Sequence, residues 1–118
     1  MDGKINRNLL FIFPKKACLD WARKIHPKVP LQILNQSPYE FGHAYLIPEF
    51  NNHEDVIAWM SKNWLTWFET MLMEWTMDEE LWPYNQNWEL FSDFFEVVWQ
   101  PLVLDTLPLP IKKHGKYR

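Results

Sequence analysis

Cysteine occurs once in the 118 residues, at Cys18. A lone cysteine forms no intramolecular disulfide and anchors no thiolate zinc site, which points to a reducing compartment and the cytoplasm. Glycine is nearly as scarce, with three in the chain, and neither a phosphate-cradling loop nor a nucleophile elbow occurs. Long apolar runs are also missing. The longest near the start covers residues 9–13 and ends at Pro14, far short of a signal-peptide core or of the ~20 residues that span a bilayer. Basic residues are missing from the middle: residues 31–110 hold thirteen acids against Lys62, net −12. Residues 1–30 carry net +5 and the last eight +4, giving −3 overall. An acidic surface of this kind repels a phosphate backbone, so nucleic acid is not expected as a partner except through the short basic tail. No metal, cofactor or membrane is expected either.

What the chain does contain is apolar and aromatic. Apolar residues make up 47% and eight tryptophans are present, a composition that excludes disorder for most of the length. One domain is expected over residues 1–110, followed by a basic tail at 111–118. At this size about two-thirds of the unfolded surface is buried on folding, enough for stability without a staple.

Residues 7–13 read as a strand with Leu9, Phe11 and Phe13 on one face and Leu10 and Ile12 on the other. Apolar on both faces, it belongs at the centre of a sheet. Pro14 suits the first position of a helix whose apolar positions Ala17, Cys18, Trp21, Ala22 and Ile25 recur at helical spacing, with His26 and Pro27 ending it. Residues 31–34 read as a short strand and residues 43–49 as a longer one. Asn51 with Glu54 forms an Asx version of the capping box. One long helix follows, with a stripe of Val56, Met60, Trp64, Trp67, Met71 and Trp75 flanked by Ile57, Phe68 and Leu72. This stripe is wider than a single face needs. After a break at residues 78–85, residues 88–95 read as a shorter helix and residues 96–104 as a strand that Pro101 confines to an edge or a bulge. The expected class is α+β: a small antiparallel sheet with helices packed on one face. The order strand, helix, strand, strand, helix, helix, strand is close to ferredoxin-like sandwiches. Without residues 31–34 the alternative is three strands with the helices on one side.

Asn6-Arg7 before the first strand, Asp20-Trp21, Tyr45-Leu46-Ile47-Pro48-Glu49, Asn63-Trp64, Glu74-Trp75, Leu81-Trp82-Pro83 and Phe94-Phe95 carry a resemblance. Over residues 6–105 the chain resembles a family of small, uncharacterised bacterial single-domain proteins, its most specific segments being Tyr-Leu-Ile-Pro-Glu and Leu-Trp-Pro. That family has no assigned activity, so the resemblance implies no catalytic residue. Trp99-Gln100-Pro101 and the basic tail depart from its pattern.

Two functions from different classes fit. The leading one is a non-enzymatic protein-interaction module, self-associating or docking on a protein partner. Its patch would be Trp82, Trp88 and Trp99, which lie in or beside irregular segments, whereas Trp21, Trp64, Trp67 and Trp75 are expected in the core. The alternative is a small hydrolase or ligand-binding protein that sets the carboxylates Glu49, Glu74 and Asp78 beside tryptophans. Acids crowd the end of the long helix, where they oppose its dipole, so a compensating cation is expected, with Arg7 or Lys62 as candidates. No histidine has a partner identifiable from sequence. Cys18, on the apolar stripe of the first helix, reads as an inert small hydrophobe.

Overall fold

The apolar run near the start becomes strand β1 (Asn8–Pro14), the centre of a three-stranded antiparallel sheet. A computed structural model describes residues 3–28 and 38–115 of the chain. On one side of β1 lies β2 (His43–Ile47), with Leu9 opposite Leu46 and Phe11 opposite Ala44; on the other lies β3 (Phe95–Gln100), with Phe11 opposite Val98. The α+β class and the central place of the first strand are as expected. The strand expected at residues 31–34 lies outside the described residues.

Strand parity divides the sheet. Asn8, Leu10, Ile12 and Pro14 are buried, whereas Leu9, Phe11 and Phe13 are half-buried. The first set faces the helices, and full burial of Leu10 and Ile12 contributes about 1.5–3 kcal/mol for each side chain. The second set faces away from them. Pro14 ends β1 instead of opening a helix; α1 (Lys16–Ile25) starts two residues later and buries Cys18 and Ala22. On its outer side the Lys16 ammonium bonds the Asp20 carboxylate at 2.8 Å, which holds that carboxyl below its ordinary range.

The single long helix expected from sequence is two helices, α2 (His53–Lys62) and α3 (Trp64–Leu72). At Asn63 the backbone leaves the helical region, with φ −122° and ψ 32°. The break explains the over-wide stripe, because each helix turns its own face to the core: Val56 and Met60 from α2, and Phe68, Met71 and Leu72 from α3. Trp64 and Trp67 pack at its margin. The cap of α2 is Asn52, not Asn51: its side chain accepts from the Asp55 backbone N–H at 2.9 Å. A short α4 (Trp88–Phe94), capped by Asn87, runs directly into β3. Phe68 sits at the centre of the core, with the rings of Phe91, Phe94 and Phe95 5.7, 5.7 and 6.0 Å away and set edge-on to it.

Beyond β3 the chain pairs briefly again. Ile5 N–H donates to Val103 O and Asp105 N–H to Gly3 O. Gly3 has φ +110°, a conformation that side chains other than glycine's disfavour. From Thr106 onward every described residue is exposed, so the uncovered run starts before the basic tail does. Total accessible surface is 8524 Å², against about 6,800 Å² for a compact chain of this mass.

Candidate functional site

Among the described residues two of the larger concave surfaces have site-like geometry. The first is the face of the sheet turned away from the core, with Leu19 of α1 at its edge. Phe11 and Phe13 stand two apart on β1, their ring centroids 5.3 Å apart, and Tyr39 from a short 3₁₀ turn (Pro38–Phe41) lies against both at 6.2 and 4.8 Å. The turn approaches β1 closely because residue 42 is glycine: a Cβ there would stand 2.7 Å from the Phe11 ring and 2.9 Å from Ile12 O. The resulting groove, about 750 Å³, is walled by Phe11, Phe13, Tyr39 and Val98 and edged by Lys15, Lys16 and Glu96. Tyr39 is 60% exposed, Leu46 48% and Val98 44%. Lys15 donates to Ser92 O and Lys16 is tied to Asp20, so both cations at the groove edge have partners other than Glu96.

The second is a cleft of about 430 Å³ lined by Glu40, Phe41, Gly42, His43, Glu74 and Trp75. Here β2 meets the end of α3. His43 Nε2 lies 2.7 Å from Glu74 Oε1, and Nδ1 lies 2.9 Å from the Tyr45 hydroxyl, which in turn reaches Met71 Sδ at 3.6 Å. The Tyr45 hydroxyl donates its one hydrogen to Met71 Sδ, which leaves its oxygen free to accept from His43 Nδ1, while Nε2 of the same ring faces the Glu74 carboxylate. The partner that offsets Glu74 is thus His43, whereas the Arg7 guanidinium bonds Asn6 O. Alternation along β2 puts His43, Tyr45 and Ile47 on the inward face. That parity was the available signal for His43; its pairing with a residue 31 positions away was not legible.

Of the three expected polar-site residues, only Glu74 lines this cleft. Glu49 is exposed beyond β2, and Asp78 caps a 3₁₀ turn (Glu79–Leu81) by accepting from Glu80 N–H at 3.1 Å. The tryptophans named as a patch are each half-buried and packed on the core through different neighbours. Trp82 donates to Thr76 O at 3.0 Å, Trp88 stacks on Phe91 at 5.3 Å, and Trp99 donates to Asn8 Oδ1 at 3.0 Å. Cys18 is buried, and burial pushes its thiol far above the ordinary range, away from nucleophilic use.

Among the described residues no group of three or more His, Cys, Asp or Glu side chains is placed to hold a metal ion, and no helix is long and apolar enough to cross a membrane. No family model, curated protein or solved structure matches the chain.

Proposed function

We propose that the protein is a small non-enzymatic interaction module whose working surface is the face of the sheet turned away from the core. It takes an extended, apolar, proline-bearing polypeptide segment. The observation that carries this reading is the aromatic groove of Phe11, Phe13 and Tyr39. Proline-rich segments arrive already extended and pack their rings on aromatic walls, so they lose little entropy on docking. The patch therefore moves from Trp82, Trp88 and Trp99, whose contacts are inside the molecule, to residues of β1, β3 and the 3₁₀ turn. A fluorescent peptide Leu-Pro-Leu-Pro-Ile-Lys-Lys, titrated with the protein and read by polarisation, tests it. Saturable binding weakened at least tenfold by Tyr39→Asp supports the reading, and no binding at millimolar protein defeats it. A single buried cysteine supports a reducing, cytoplasmic setting. The acidic charge balance disfavours nucleic acid as the partner.

A second reading rests on a separate observation, that Glu40 and Glu74 share one cleft with Phe41 and Trp75. Carboxylates beside aromatic faces suit a small organic cation. Binding is favoured over hydrolysis because Glu74 is already engaged by His43. Calorimetry with choline and its neutral isostere 3,3-dimethylbutan-1-ol decides it: heat for choline alone, lost in Glu40→Gln, supports the site, and equal responses reject it.

A further inference from the structure

Building on the groove reading, we infer that the segment filling the groove belongs to a second copy of this chain: residues 107–113, exchanged reciprocally between two protomers. The segment carries the groove's complement. Leu107, Leu109 and Ile111 are 67%, 71% and 63% exposed, an apolar series left largely open to solvent. Pro108 and Pro110 alternate with them and bias the preceding residues towards extended backbone. Lys112 and Lys113 follow, and the groove edge holds Glu96 together with Lys15 and Lys16, so the match is one of apolar surfaces.

Within its own protomer the segment is not folded back on the groove, since Leu107, Leu109 and Ile111 all stand exposed. Size favours exchange over simple face-to-face pairing. Three strands of about six residues present roughly 300 Å², well below the ~800 Å² that each partner of a standard interface buries. Exchange gives each protomer two contacts, one as groove and one as segment, and the two-fold arrangement closes on itself without growing into a filament. Dimerisation would hide both exposed apolar series at once.

Sedimentation velocity of the full chain over a wide concentration range tests the inference, with Leu109→Asp/Ile111→Asp altering the segment and Val98→Lys the groove. All three positions are exposed, so folding is retained, and far-ultraviolet dichroism checks it. The expected result is a concentration-dependent dimer that each variant weakens at least tenfold. Mixing the two variants should restore a heterodimer held by one intact contact. A wild-type chain that stays monomeric at millimolar concentration overturns the inference. So does a dimer that survives the segment variant, which would mean bare faces pairing. The peptide titration separates the two levels: if the free peptide binds but the chain stays monomeric, exchange fails and the groove reading stands; if neither occurs, both fail.

Discussion

Trp99 Nε1 donates to Asn8 Oδ1 at 3.0 Å, and the same oxygen accepts from the Phe50 backbone N–H at 2.7 Å. Asn8 Nδ2 completes the set by donating to Pro101 O at 3.0 Å. One amide, only 3% exposed, thereby joins β1, the end of β3 and the loop after β2. These bonds also fix Trp99 in place, which is why a tryptophan beside a proline is a structural strut here.

Asn8→Ala should therefore destabilise the fold by about 1–3 kcal/mol, because it removes three part-buried hydrogen bonds at once, to Phe50 N–H, Trp99 Nε1 and Pro101 O. Trp99→Phe keeps most of the ring and should cost about 1–2 kcal/mol, loss of one hydrogen bond. Urea unfolding of both variants measures the difference. Equal losses would mean that ring packing, and not the amide, holds this corner.

Much of the fold was legible because its signals are local. The two apolar faces of β1 placed it centrally; the last strand is an edge strand as expected, but it runs Phe95–Gln100 and not 96–104, because Pro101, with no donor for the ladder, follows its end instead of lying within it. Asn8 was also visible in principle, as a lone polar residue at the inward parity of Leu10 and Ile12. The break at Asn63 was not. Apolar residues continue through it at helical spacing, and only the width of the stripe signalled that one face could not hold them all. The partner of Glu74 was hidden for a different reason: nothing local to either residue encodes a contact between β2 and the end of α3. The groove was half legible, in that Leu9, Phe11 and Phe13 were known to share a face. That this face lies opposite the core, with only Leu19 and Lys16 of α1 reaching its edge among the described residues, is decided by the packing of the helices.

His43 and Glu74 should couple energetically. Each is half-buried, and their 2.7 Å contact ties the sheet edge to the helix end. A double-mutant cycle with His43→Ala and Glu74→Ala should give a coupling of about 1–2 kcal/mol, above the additivity error for independent sites. Additive losses would show that the pair stabilises nothing beyond its separate contacts.

Phe68→Ala should cost about 3–5 kcal/mol, since the residue is fully buried among three aromatic rings and leaves a large cavity. Trp64→Ala should cost less, about 1–3 kcal/mol, because Trp64 lies at the core's margin where water and neighbours refill the space. Guanidinium melts rank the two. The reverse order would place the centre of the core at the helix break.

Cys18 gives the pH prediction. Burial raises its thiol pKa in the folded state, so folding favours the neutral thiol. The stabilising contribution is full below the unfolded thiol pKa, about 8.5, and is lost progressively as pH rises above that value, because only the unfolded chain then releases the proton readily. Each pH unit in that range removes about 1.4 kcal/mol, so one thiol accounts for a loss of about 2 kcal/mol between pH 8 and pH 10. Cys18→Ala removes this slope, and the difference between the two stability profiles isolates it from lysine and tyrosine titration. The same burial predicts that an aromatic disulfide reagent labels the native protein at pH 8 only at the rate of unfolding. Labelling within seconds, together with parallel stability profiles, would mean that Cys18 is open to solvent and that α1 packs less tightly on the sheet than its buried face implies.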